Sequence, residues 1–69
     1  MSEIINSKIK KLFNHFQSAN YEYVIRECKI ILKKFPESPV LLNMLGLSLQ
    51  QIGNFEEAKT SYLKAIQIN

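Results

Sequence analysis

Several residue types are scarce in this sequence of 69 residues, which has no tryptophan, no aspartate, one cysteine and two glycines. A single cysteine cannot form an internal disulfide, so the sequence excludes a disulfide-stabilised secreted scaffold and favours a reducing compartment. No apolar run approaches the roughly 20 residues of a membrane-spanning helix. Met1 is not followed by the basic and apolar regions of a signal peptide. We therefore expect a cytoplasmic chain with no membrane association.

A large charge of one sign is also lacking, because nine Lys and Arg residues against six Glu residues give a net charge of only +3. This surplus is too small to indicate nucleic-acid binding by itself. Six of the eight lysines form two groups, Lys8, Lys10 and Lys11 and then Lys29, Lys33 and Lys34. Each group is typical of the solvated side of an amphipathic helix, so RNA binding remains a lesser alternative.

Residues that could carry catalysis or bind a metal are few. His15 and Cys28 are two possible ligands, which fall short of a closed four-ligand shell. A nucleophilic cysteine needs a base, an orienting group and an oxyanion site, and the sequence has no glycine-rich phosphate loop. We therefore expect no metal, no cofactor and no catalytic residue, with His15 and Cys28 packed between helices.

The residues that are present predict an all-α fold, because apolar side chains recur at three- and four-residue spacing and no strand-like alternation occurs. Asn20 is a good N-cap for a second helix, which Pro36 ends. Ser38 and Pro39 are a strong start signal for a third helix. Gly53 ends that helix near residue 52.

The fourth helix begins after Asn54, and Glu57 three residues later completes an Asn variant of the capping box. Four helices joined by such short turns predict two antiparallel helix-turn-helix hairpins. At 69 residues we expect a single domain whose core is only marginally stable by itself.

The two hairpins show a weak internal repeat. A shift of 34 residues overlays the identical residues Gln17 on Gln51, Asn20 on Asn54 and Glu22 on Glu56, and it also overlays Tyr21 on Phe55. The identities fall at the same turn and helix start, and 34 residues is the period of a known helix-turn-helix repeat. The offset therefore predicts a repeat protein.

The second repeat resembles the tetratricopeptide family through Leu42, Leu45, Gly46, Leu49, Gly53, Asn54, Phe55, Ala58, Tyr62 and Ala65. The first repeat matches over residues 20–36 but has Lys8, Lys11 and His15 where the family has bulky apolar residues, and Leu12 in place of glycine. The resemblance implies a right-handed α-solenoid over residues 1–69, with repeat one at about 5–38 and repeat two at about 39–69. Lysines on the outer face are typical of a terminal repeat.

The resemblance also implies a concave groove, lined by the first helix of each hairpin, that binds an extended or helical peptide. The candidate groove residues are Ile9, Phe13, Phe16, Gln17, Val40, Asn43, Met44, Leu47, Gln50 and Gln51. The groove is apolar, which argues against a clamp for a C-terminal carboxylate. Phe13 and Phe16 are equally well interpreted as core residues that pack against the third helix.

Two repeats are few, because about three are usually needed for stability. Either further repeats follow Asn69 or identical chains associate as a homodimer through an uncovered face of the fourth helix. The candidate residues of that face are Tyr62, Leu63, Ile66 and Ile68. The leading hypothesis is a protein interaction module. The alternative is the amino-terminal repeat region of a larger enzyme such as a transferase, with no catalysis in this segment.

Overall fold

The structure, a computed structural model, describes residues 2–68. It contains four helices, α1 (Ser2–Gln17), α2 (Tyr21–Lys34), α3 (Pro39–Gln51) and α4 (Phe55–Ile68), and no strand within that range. The predicted all-α fold with two hairpins is therefore confirmed. In the described part of the chain, none of the helices is both long enough and apolar enough to cross a membrane.

The starts of α3 and α4 are fixed by the side chains that the sequence predicts. The backbone N–H of Leu41 donates to Ser38 Oγ at 3.3 Å. At α4 the backbone N–H of Glu57 donates to Asn54 Oδ1 at 3.4 Å, and Asn54 Nδ2 donates to Glu57 Oε1 at 3.1 Å. Both caps are confirmed, although the Glu57 carboxylate binds the side-chain amide of Asn54 and not its backbone N–H.

The prediction that Asn20 caps α2 through its side chain is wrong. Asn20 stands at the N-cap position but makes no capping hydrogen bond, and its Nδ2 atom lies 3.1 Å from His15 Nδ1. The His15 imidazole lies at the end of α1, and its contact with Nδ2 orients the Asn20 amide, whose Oδ1 atom makes no capping bond to α2.

Both hairpins turn with the same backbone geometry. The N–H of Asn20 donates to the carbonyl of His15 and the N–H of Asn54 donates to that of Leu49, each at 2.9 Å. The residue before each Asn has a positive φ, 63° at Ala19 and 86° at Gly53. Every pair in this comparison is separated by 34 positions, so the internal repeat extends to the backbone of the turn.

The α3 helix lies at the centre of the molecule, where it packs most closely on α4 and then on α2, while α1 packs on α2 and only lightly on α3. Seven of the 13 residues of α3 are buried, which explains why its sequence is apolar on nearly all sides. The largest fully buried side chains are Leu41, Leu49, Val24, Cys28 and Ser48.

The closest approach between α3 and α4 occurs at Gly46. A Cβ atom at this position would lie 2.6 Å from Cε1 of Tyr62, so only glycine allows the ring to lie on the α3 backbone. The Tyr62 hydroxyl donates to Gln50 Oε1 at 2.9 Å, and Ser61 Oγ donates to the carbonyl of Leu42 at 2.7 Å. These contacts hold the second hairpin together.

The first hairpin fills the corresponding place with the opposite sizes of side chain. A shift of 34 residues relates Leu12 to Gly46 and Cys28 to Tyr62. Leu12 is 3% exposed and Cys28 is 0% exposed, and both belong to the main core cluster. The large residue therefore comes from the first helix of hairpin one and from the second helix of hairpin two, which compensates for the missing glycine.

Candidate protein-binding surfaces

The predicted groove residues lie on two neighbouring helices, because α1 and α3 contact each other. On α3, Val40, Asn43, Leu47 and Gln51 are exposed and recur at three- and four-residue spacing, so they form one stripe. Val40 and Leu47 expose 53% and 42% of their surface, which leaves two apolar side chains one heptad apart. This stripe is the α3 wall of the candidate groove.

The α1 wall is contributed mainly by one aromatic residue. Phe13 is 50% exposed. Phe16 is half-buried, packs against the core cluster and meets the Tyr21 ring edge-on, with ring centroids 5.5 Å apart. Ile9 is also half-buried against the core, while Gln17 is exposed. Phe13 is therefore the aromatic side chain that a ligand can reach, and Phe16 is largely structural.

Two of the predicted α3 residues already have partners within the chain. Met44 is only 7% exposed and belongs to the core cluster, so little of its side chain faces the groove. The side-chain oxygen of Gln50 accepts the hydrogen bond from Tyr62, although the residue is exposed. What remains on α3 for a ligand is apolar or amide in character, because no residue of Pro39–Gln51 is ionisable.

Two exposed apolar residues of α4, Phe55 and Ile66, correspond to residues of α2 that are half-buried. Phe55 and Ile66 are 65% and 68% exposed, the highest values among the large hydrophobic residues of the described range. Their equivalents after the 34-residue shift, Tyr21 and Leu32, are half-buried, and Leu32 packs against the core cluster. Phe55 and Ile66 therefore occupy the face that would be covered if α4 were packed as α2 is.

Two further α4 residues complete this face. Tyr62 is half-buried and corresponds to Cys28, and Lys59 is exposed and corresponds to Ile25, which packs against the core cluster. Phe55, Lys59, Tyr62 and Ile66 recur at three- and four-residue spacing on one side of α4. We call these four residues the α4 end face.

The other two residues predicted for self-association lie elsewhere on α4. Leu63 and Ile68 are 48% and 37% exposed, but they correspond to Lys29 and Lys34, which are solvated in the first hairpin. The four predicted residues thus do not form one surface. Sequence reasoning missed Phe55, although its match to Tyr21 in the repeat alignment was the signal that could have identified it.

A narrow cleft of about 260 Å³ lies where residues of α2, α3 and α4 meet, with Leu32, Leu42 and Leu45 among its lining. Lys29 Nζ and Glu57 Oε2 form an ion pair across it at 2.8 Å, with side chains 49% and 42% exposed. A pair this exposed contributes at most about 1 kcal/mol to stability. It links the two hairpins on the side away from the groove.

His15 and Cys28, the two residues considered for catalysis or metal binding, are packed against other parts of the protein. The His15 ring stacks on Tyr23, with centroids 4.1 Å apart. Burial, with a smaller contribution from the Glu27 carboxylate, raises the pKa of Cys28 to about 12, so the thiol is protonated at neutral pH. Within residues 2–68 no group of three or more His, Cys, Asp or Glu residues is arranged to hold a metal ion.

The helices and their surfaces define an α-helical hairpin-repeat protein. Residues 40–69 match the family model described as Tetratricopeptide repeat. The matched residues coincide with the second hairpin, so this hairpin is similar to a tetratricopeptide repeat. Comparisons with curated proteins and with solved structures gave no match. Repeats of this family generally mediate protein–protein interactions.

Proposed function

We propose that this chain is a protein-binding module whose groove, between α1 and α3, holds a peptide or a protein segment. The observation that carries this proposal is the exposure of Phe13, Val40 and Leu47, at 50%, 53% and 42%, on two helices in contact. Exposed apolar residues that adjoin one another commonly mark interaction sites.

The chemistry of the α3 wall indicates the kind of segment that binds. Because this wall carries no ionisable residue, binding should depend on apolar burial and change little with salt. The amides of Asn43 and Gln51 are exposed and can bond to the backbone of a bound peptide. We expect an uncharged, apolar peptide to bind better than an acidic one.

The experiment selects peptides from a random library on the immobilised chain and measures their affinity for variants. Phe13→Glu and Leu47→Glu should each weaken binding at least tenfold, since a carboxylate would then be desolvated in the groove. Ile30→Glu is the matched control, because Ile30 is 52% exposed but lies on α2, outside the groove. An equal loss with Ile30→Glu would show that the peptides bind elsewhere.

A second candidate function is self-association as a homodimer through the α4 end face. The exposure of Phe55 and Ile66 supports it, because their equivalents on α2 are half-buried. Solution mass measured over a concentration series tests it. Ile66→Glu should lower the mass if this face forms the contact, whereas Phe13→Glu should do so if the groove forms it.

The remaining expectations are retained as proposals. We propose a cytoplasmic, non-enzymatic segment, supported by a single buried and protonated thiol. If residues 1–69 are the repeat region of a larger transferase, the same binding role is expected of them. RNA binding would appear as salt-dependent retention on single-stranded RNA that substitution of Lys8, Lys10 and Lys11 reduces.

A further inference from the structure

We infer that the α4 end face pairs with the same face of a second copy, with the two α4 helices antiparallel and the two-fold axis passing between residues 60 and 61. The inference rests on the self-association proposed above and adds the arrangement of the interface. It comes from the order of the four residues of the face along α4.

These residues are placed symmetrically along the helix. Phe55 and Ile66 share a midpoint between positions 60 and 61, and Lys59 and Tyr62 share the same midpoint. An antiparallel pair of helices related by a two-fold axis brings each residue opposite the one at the mirrored position of the partner. One register therefore satisfies both pairs at once.

In this register the outer pairs are apolar. Phe55 lies opposite Ile66 of the second copy, and Ile66 lies opposite Phe55 of the second copy. These are the two most exposed large hydrophobic residues of the described chain, at 65% and 68%. Each copy thus covers the apolar surface that the other exposes, which is the requirement for an isologous contact.

The inner pairs place the one charged residue of the face, Lys59, opposite an aromatic residue. Lys59 lies opposite Tyr62 of the second copy, so its ammonium can approach an aromatic ring. Lys59 of the second copy lies about 4.5 Å further along the helix axis, at 1.5 Å per residue, so the ring lies nearer than the like charge. The Tyr62 ring is held in place by its packing on Gly46 and its hydrogen bond to Gln50. Lys59 stands where the first hairpin has the half-buried Ile25, and in this register the Tyr62 ring of the second copy is the group that can receive its ammonium.

The test exchanges the outer apolar pair for a charge pair. At high micromolar concentration the unaltered chain should have twice its monomer mass of 8.0 kDa. Phe55→Lys and Ile66→Glu should each return the mass to that of the monomer. The double variant should regain part of the affinity lost in each single variant, because Lys at 55 would then meet Glu at 66 of the second copy. It should not regain all of it, since an exposed charge pair contributes less than the apolar contact it replaces. These two positions are too far apart to pair within one helix, about 16 Å at 1.5 Å per residue.

The controls separate this arrangement from other contacts. Leu63→Glu should leave the mass unchanged, since Leu63 is exposed on α4 but outside the end face. Far-ultraviolet circular dichroism checks that each variant stays helical. A helical chain that is monomeric throughout, or a double variant that regains no affinity over the single variants, would overturn the inference. Loss of the dimer in Phe13→Glu would overturn it too, while peptide binding by a monomer would leave the groove proposal intact.

Discussion

At the scale of single residues, the two hairpins place a large and a small residue at equivalent positions, but on opposite helices. Gly46 and Tyr62 contact each other in hairpin two, while hairpin one has the buried residues Leu12 and Cys28 at the equivalent positions. What is preserved between the repeats is the combined size of the pair and not the residue at either position. A search for the glycine of the family pattern alone therefore underestimates how well the first hairpin matches the repeat.

This size exchange predicts a double-variant result. Gly46→Leu should lower the free energy of unfolding by about 1–3 kcal/mol through overpacking, and Tyr62→Cys should lower it by about 3 kcal/mol or more because the ring is removed. The two together copy the Leu12 and Cys28 arrangement, so the loss should be clearly smaller than the sum. Urea unfolding measures this, and simple additivity would show that the hairpins pack differently.

Two buried serines on facing helices allow a matched comparison. Ser48 Oγ on α3 is buried and has no hydrogen-bond partner among residues 2–68, whereas Ser61 Oγ on α4 donates to the carbonyl of Leu42 at 2.7 Å. An unsatisfied buried polar group costs about 1–3 kcal/mol. Ser48→Ala should therefore raise stability by about 1 kcal/mol, while Ser61→Ala should lower it by about 1 kcal/mol. Thermal unfolding distinguishes them, and a loss in Ser48→Ala would reveal a partner for its hydroxyl.

At the scale of helices, the ends were predictable where the sequence signal is local. Ser38 with Pro39 and Asn54 with Glu57 act within a few residues of each other, and Ser38 Oγ and Asn54 Oδ1 accept the expected capping bonds. Asn20 has the same residue type and position as Asn54 but binds His15 instead. Residue type fixes which bonds a side chain can make, while the choice among them depends on its neighbours in space.

The faces of the helices were harder to predict than their ends. Helix α3 is apolar on nearly all sides, so periodicity cannot tell its groove side from its core side, and Met44 was assigned to the groove although it lies in the core. On α4 the repeat alignment carries the missing information. Leu63 corresponds to a solvated lysine, whereas Ile66 corresponds to the half-buried Leu32.

The outer side of α1 illustrates a face that the sequence did predict. Lys8 and Lys11 are exposed at the positions that the family fills with apolar groups. They flank a shallow cavity of about 160 Å³ whose lining includes Tyr23 and Glu27. Lysine at these two α1 positions indicates a solvated surface, because burying an unpaired ammonium is costly.

At the scale of the whole molecule, the two ends of the array differ. The α1 end presents lysines to solvent, and the α4 end presents Phe55 and Ile66. Yet the polar end is also the more loosely packed one, since α1 packs on α2 less closely than α4 packs on α3. Solubility at one end is thus accompanied by weaker attachment of its helix.

This uneven packing predicts a gradient of local stability that hydrogen exchange can measure. Amides of α3 should exchange slowest, near the rate set by global unfolding, because α3 packs between α2 and α4. Amides of α1 should exchange fastest among the four helices, since α1 can detach while the other three stay packed. Ile66→Glu should speed exchange in α4 if a second copy protects it, and it should leave the order of α1 and α3 unchanged. Equal protection of α1 and α3 would mean that the four helices unfold as one cooperative unit.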